Sequence, residues 1–227
     1  MINERLRTAL INALKNLSHE KRSKLEELKK ATEQLKKKDV IWHMLLCSMA
    51  TMGNSRGYKG LIENNDNYRE VAYETLLNQK NEERYAIILE TLKKAKIRMA
   101  VQKAKWLFEN YEIIESMGGA EKAREMALNE HGMEKKIAFM MHFKGIGPKY
   151  ARNVWMDFYH PDFYQNIALD ERIKKISKIL NVELENYTEH ENFYLEIAKE
   201  SGLQGWELDR ILYSYNDEFV ASLQNEE

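Results

Sequence analysis

Apolar residues recur at spacings of three and four from the start of the chain, at Ile2, Leu6, Leu10, Ala13, Leu14 and Leu17. That spacing places them on one face of a helix. Ser18 then suits the N-cap of a second helix running to about Lys38, with Leu25, Leu28, Ala31 and Leu35 inward and a Lys/Glu face outward. The stretch from Val40 to Met52 is apolar around most of its circumference, which predicts a helix inside a helical layer. It ends in Gly53-Asn54-Ser55-Arg56-Gly57, a run of turn residues, and a helical pattern resumes near Tyr58. Further helices are predicted at about 67–79, 81–94, 96–110, 120–130 and 133–143, with Gly118-Gly119 and Gly132 as stops. After an irregular connection, His160 to Asn166, come helices at about 171–180, 189–200 and 206–222. Strand signals are nearly absent.

Composition narrows the class. With 44% hydrophobic residues in 227, the chain can bury one sizeable core or two small ones, which argues against disorder. Only 2 prolines and 10 glycines interrupt it, so an all-β sandwich is nearly excluded and an all-α fold is expected. The net charge of −1 names no partner. The single cysteine, Cys47, rules out an internal disulfide and a thiolate cluster, and suits a reducing interior. No apolar run is long enough to span a membrane and the first residues lack a signal-peptide pattern, so a cytoplasmic protein with no membrane partner is expected.

The informative segment runs from Phe139 to Trp155. An apolar helix leads into Gly145-Ile146-Gly147, and Pro148 follows where the first turn of a new helix favours a fixed φ and no amide hydrogen. A tight hairpin between two helices results. It exposes backbone N–H groups at a helix N-terminus, where they attract phosphate, and Lys144 and Arg152 add positive charge. Lys149 falls in the first turn. Asp170 lies 21 residues beyond it, immediately before a helical pattern (Glu171-Arg172-Ile173-Lys174-Lys175-Ile176). Taken singly, Asp170 reads as an N-cap and Lys149 as a solvated or phosphate-touching lysine.

Together the two pieces resemble the helix-hairpin-helix superfamily of DNA base-excision glycosylases, whose signature is Gly-hydrophobic-Gly-x-Lys-x-Ala with a downstream aspartate preceding a helix. Here that reads Gly145-Ile146-Gly147-Pro148-Lys149-Tyr150-Ala151, then Asp170. The resemblance covers about residues 137–180. It implies an all-α fold of two helical domains: one discontinuous, from residues 1–39 and 161–227, and a central one, 40–160, ending in the helix-hairpin-helix motif at the cleft between them. The lysine variant resembles the bifunctional glycosylase/lyases. The four-cysteine iron–sulfur module of the endonuclease III branch is missing, so no iron–sulfur cluster is expected and the chain is more similar to the compact prokaryotic eight-oxoguanine glycosylases. The stretch Trp206-Glu207-Leu208-Asp209-Arg210-Ile211-Leu212 also resembles the last helix of that group.

By that resemblance the chain removes an oxidised purine, foremost 8-oxoguanine, and nicks the abasic strand through a Lys149 imine assisted by Asp170. The chemistry suits both side chains. Breaking the glycosidic bond builds positive charge on the sugar, which a fixed carboxylate stabilises. A neutral amine attacks the anomeric carbon, and the Schiff base is an electron sink for β-elimination. No redox cofactor is required. The partner implied is damaged double-stranded DNA, bound by a monomer, nucleoid-associated if the chain is prokaryotic, through Gly145, Ile146, Gly147, Lys144 and Arg152. The flipped nucleotide leaves a gap to be filled by a wedge from the 53–57 loop, with Asn54 and Arg56 leading and Met49 the choice in a shifted register. The resemblance also implies a monovalent cation on the carbonyls of Met141, Phe143 and Ile146. Trp42, Phe139, Trp155 and Trp206 suit base stacking, but core packing is the stronger reading for each.

Charge adds a weak local signal: Thr91 to Phe108 holds six basic residues and no acidic one, and phosphate neutralisation is local. Two other readings stay open. One is a glycosylase for alkylated bases or oxidised pyrimidines. The other is a noncatalytic helix-hairpin-helix DNA-binding protein in which Lys149 touches phosphate and Asp170 only caps a helix.

Overall fold

The computed structural model describes residues 2–52, 56–183 and 185–226, and among these there is helix and turn but no strand. The chain divides into two compact units, Met1–Thr32 with Met156–Glu227, and Glu33–Trp155.

In the first unit, Asn3 caps the helix Glu4–Lys15 by accepting from the Leu6 amide at 3.2 Å, and Leu6, Leu10, Ile11 and Leu14 form its buried stripe. Ser18 caps His19–Lys29 as its position predicts, accepting from Lys21 N at 3.3 Å. That helix does not reach Lys38. It buries only Leu25, too little apolar surface to hold a long helix, and the chain tightens into the 3-10 segment Lys30–Lys36. The remaining helices of this unit are Glu171–Ile179, Tyr187–Glu200, Gly205–Ser214 and Asn216–Asn225. The single helix predicted at 206–222 is thus two, broken at Tyr215. The break turns Asn216 inward to donate to the Arg172 carbonyl at 3.2 Å, and lets Phe219, Val220 and Leu223 pack on Glu171–Ile179.

The second unit is organised on Val40–Thr51, whose nine buried residues match the all-round apolar pattern. It packs against Arg56–Leu61, Ala100–Ser116 and Ala120–Asn129. The helix predicted at 67–79 is interrupted between Asn65–Glu70 and Tyr73–Leu77. The buried indole N–H of Trp42 needs an acceptor, and the Val71 carbonyl, released from helical pairing, supplies it at 2.8 Å. Asn81–Lys94 pairs with Ala100–Ser116 across a turn in which Lys96 (φ 55°) and Met99 (φ 58°) are left-handed. The helix predicted from residue 96 therefore begins at Ala100.

Two fully enclosed lysines cap helices in this unit. Lys103 Nζ donates to the Met49 and Met52 carbonyls at 2.8 and 2.7 Å, and Lys136 Nζ to those of Ala127, Leu128 and Glu130 at 3.3, 3.1 and 2.5 Å. Each ammonium thus satisfies the orphan carbonyls of a helix C-terminus, where the dipole favours a cation. Burial, with Arg98 nearby, lowers the Lys103 pKa.

Candidate nucleic-acid interface and active-site residues

The hairpin of the second unit joins Met133–Met141 to Pro148–Asp157. Its turn is closed by Phe143 N donating to Met140 O and Ile146 N to Phe143 O, both at 3.2 Å. Gly145 sits at φ +80°, and a Cβ there would lie 2.6 Å from Trp106 Cε3 and 3.0 Å from Met49 Cε. Both the backbone and the packing require glycine. Asn110, completely buried, grips the same turn from the side, donating to Lys144 O at 3.1 Å and accepting from Lys144 N at 2.6 Å.

Gly147 is different. Its φ lies outside the left-handed region and a Cβ would meet nothing within 4 Å, so the fold itself does not demand glycine there. The position leaves the backbone bare toward solvent at the start of Pro148–Asp157, where the unpaired amides of a first turn favour an anion. Lys149 follows in that first turn, exposed, and its ammonium carries no hydrogen bond or ion pair among the described residues. Lys144 is exposed, Arg152 is half-buried, and the Ile146 side chain is in the core, so only its backbone faces outward. The carbonyls of Met141 and Ile146 receive no backbone hydrogen bond among the described residues, and that of Phe143 receives one. Neutral oxygens with free lone pairs fit a hard monovalent cation.

Asp170 is the N-cap of Glu171–Ile179 in the first unit. Its Oδ1 accepts from Arg172 N at 2.9 Å and Ile173 N at 3.1 Å, and its Oδ2 lies 3.3 Å from Arg172 Nη1. The capping role read from the sequence is therefore realised. The segment leading to it is held by side chains from two other helices. Glu191 accepts from Ile167 N at 3.1 Å, the Tyr187 hydroxyl donates to Ile167 O at 2.9 Å, and Asp209 accepts from Ala168 N at 2.8 Å. Nothing in the sequence singled out Asp209 beyond its place in the Trp206–Leu212 stretch.

Burial and pairing sort the other sequence-derived candidates. Met49 is fully buried against Gly145 and is no wedge. Arg56 is exposed at the start of Arg56–Leu61, whereas Asn54 lies outside the described residues. Trp42, Phe139, Trp155 and Trp206 are core side chains, and the indoles of Trp155 and Trp206 donate to the Lys136 and Met156 carbonyls. The basic run 91–108 is largely consumed: Lys103 is buried, while Lys93, Lys94 and Lys105 pair with Glu90, Glu70 and Glu109. Exposed in it remain Lys96 and Arg98, in the left-handed turn with Met99 (59% exposed) and Val101 (62%). Two apolar side chains standing in water just beyond two exposed cations are a surface feature the helical reading of 96–110 concealed. Among the described residues no helix is long and apolar enough to cross a membrane, and no three His, Cys, Asp or Glu side chains cluster to hold a metal.

No family model matches the sequence, and no curated protein does. Two solved structures do match. One is the Methanocaldococcus jannaschii 8-oxoguanine glycosylase/lyase in complex with a 15mer DNA containing 8-oxoguanine, with TM-score 0.64 and 17% identity over 91% of this chain and 94% of that one. The other is the 8-oxoguanine DNA glycosylase of the same organism, with TM-score 0.64 and 19% identity over 92% of this chain and 93% of that one. The all-helical fold of this chain is the fold of those archaeal glycosylases, shared along nearly the whole of both chains.

Proposed function

We propose that the chain is a base-excision DNA glycosylase with an associated abasic-site lyase activity, acting on oxidised purine in duplex DNA and foremost on 8-oxoguanine. The observation that carries the reading is Lys149, an unpartnered amine on the first turn after a Gly-Ile-Gly hairpin whose second glycine is bare. The likeness of the whole fold to a glycosylase/lyase captured on 8-oxoguanine DNA supports the substrate class.

In this reading the hairpin amides and the Lys144 and Arg152 charges hold backbone phosphates, and the Met141, Phe143 and Ile146 carbonyls would hold a monovalent cation, which would supply positive charge near them. The nucleotide is everted, with the exposed Met99 as an apolar wedge on the turn that carries Lys96 and Arg98. The neutral Lys149 amine attacks C1′ of the damaged nucleoside while the bond from C1′ to the base breaks, and the base leaves with the electron pair and picks up a proton. The Asp170 carboxylate stabilises the positive charge that develops on the sugar. Opening of the sugar ring gives the Lys149 imine. Loss of the C2′ proton then expels the 3′ phosphate, and hydrolysis of the imine returns the amine. A monomer suffices for this chemistry.

A second reading has its own support, because the Oδ1 of Asp170 is already occupied as a helix cap. In that reading the protein binds DNA without catalysis. Borohydride trapping separates the two. An imine enzyme becomes covalently linked to duplex carrying 8-oxoguanine or an abasic site, and Lys149→Gln abolishes the link while retaining DNA binding. A wild-type protein that binds these duplexes but is never trapped is a binding module.

A further inference from the structure

Asp209, on Gly205–Ser214, carries a side chain only 6% exposed. Its Oδ1 accepts from the Ala168 amide at 2.8 Å, and the carbonyl of the same residue, Ala168, accepts from the Asp170 amide, also at 2.8 Å. A chain of two hydrogen bonds thus runs from a buried carboxylate to the backbone of the residue assigned to stabilise the sugar cation. The other side of Asp209 faces Arg210, whose Nε lies 3.7 Å from Oδ2 and whose guanidinium also pairs with Asp157 at 3.0 Å.

Resting on the glycosylase reading above, we propose that Asp209 is a positioning residue for base excision: its ionised carboxylate fixes the Ala168 peptide, and through it the place of the Asp170 carboxylate. The geometry explains why a buried charge is kept here. A neutral acceptor would pair with Ala168 N but more weakly, and would lose its attraction to Arg210, so the 166–170 segment would lean more on Glu191 and Tyr187.

The same burial makes the interaction sensitive to pH. Desolvation is the largest influence on Asp209 and raises its pKa to about 6; Arg210 and the Ala168 amide oppose the rise, and the charges of Asp170 and Asp157 add to it. Among the charged groups on the packed helices, Lys29 of His19–Lys29 pairs with Glu207, Lys175 of Glu171–Ile179 with Asp217 of Asn216–Asn225, and Glu191 of Tyr187–Glu200 accepts from Ile167 N. Protonation of Asp209 below pH 6 weakens the clamp and lowers the rate of base release.

The test is single-turnover excision from an 8-oxoguanine duplex between pH 5 and 7.5, with affinity for a tetrahydrofuran abasic duplex and thermal unfolding measured alongside. At pH 7.5, Asp209→Asn slows excision about 100-fold, the cost of a misplaced reacting group, while abasic-duplex affinity stays within about twofold. The wild type loses rate through an acid limb near pH 6 that is absent in the variant. The proposal fails if the variant excises at the wild-type rate, if its acid limb is unchanged, or if its loss is matched by lost affinity. Should Asp209→Asn not fold, the wild-type profile decides: a limb near pH 6 supports the role, and a flat rate from pH 5 to 7 overturns it. A wild-type protein that excises nothing overturns this inference together with the glycosylase reading, whereas an active wild type with an indifferent variant overturns this inference alone.

Discussion

The side-chain amide of Asn110 and the backbone of Lys144 exchange two hydrogen bonds, donor to carbonyl at 3.1 Å and amide to Oδ1 at 2.6 Å, with Asn110 wholly buried. A long helix thereby fixes the peptide next to the first glycine of the hairpin. Asn110→Ala removes both partners and leaves buried polar groups unpaired, costing about 2–4 kcal/mol. Urea unfolding measures that loss. Asn110→Asp keeps the acceptor but buries a carboxylate and turns one of its oxygens toward the Lys144 carbonyl, so at neutral pH it destabilises at least as much as alanine.

The two hairpin glycines separate folding from binding. Gly145→Ala introduces a left-handed alanine and drives Cβ into Trp106, destabilising by about 2–4 kcal/mol. Gly147→Ala meets open space and changes stability by less than about 1 kcal/mol. Its methyl group stands where a phosphate would approach, so affinity for abasic duplex drops in fluorescence anisotropy although the melting temperature does not.

Asparagine in place of Asp170 keeps an oxygen for the Arg172 and Ile173 amides and removes the charge, with the exposed Oδ2 contact to the Arg172 guanidinium. Stability of Asp170→Asn stays within about 0.5 kcal/mol of wild type, because asparagine caps as well as aspartate. Base excision under single turnover falls about 10²–10³-fold. A stability loss with an unchanged rate would leave Asp170 as a cap alone.

Met99 and Val101 are exposed apolar side chains, so Met99→Ala costs the fold little. As a wedge, Met99 contributes to duplex distortion, and Met99→Ala weakens binding to abasic duplex more than to single strands. Replacing Lys96 and Arg98 with glutamine lowers affinity on both and reduces the salt dependence by about two counterions.

His43 lies half-buried between the Tyr68 hydroxyl, 2.9 Å from Nδ1, and Cys47 Sγ, 3.6 Å from Nε2. Burial first, and then Lys37, lowers its pKa to about 4, below the 6.5 of a free imidazole. Protons therefore prefer the unfolded chain in this window, and the stability present above pH 6.5 is lost as pH falls toward 4. Asp209 acts oppositely, since its raised pKa favours proton uptake by the folded chain between 3.8 and 6. Unfolding free energies measured from pH 4 to 7 show a shallower acid loss in His43→Gln than in wild type.

The sequence by itself determined the helical class, the buried character of Val40–Thr51, the Ser18 cap and the Gly-Ile-Gly turn, because each is set by neighbours a few residues apart. Periodicity, capping oxygens and glycine dihedrals are local causes. It also placed Lys149 and Asp170 at the first turns of their helices. Tertiary structure decided the rest. The helix break at Val71 exists to give Trp42 an acceptor 29 residues away, the break at Tyr215 turns Asn216 toward Arg172, and the basic run 91–108 lost Lys103 to the carbonyls of Met49 and Met52. Asp209 likewise acquired its meaning only when its helix came against the Ala168 peptide. Such pairings depend on which distant polar groups become buried together, and a buried polar group must find its partner wherever the packing brings one.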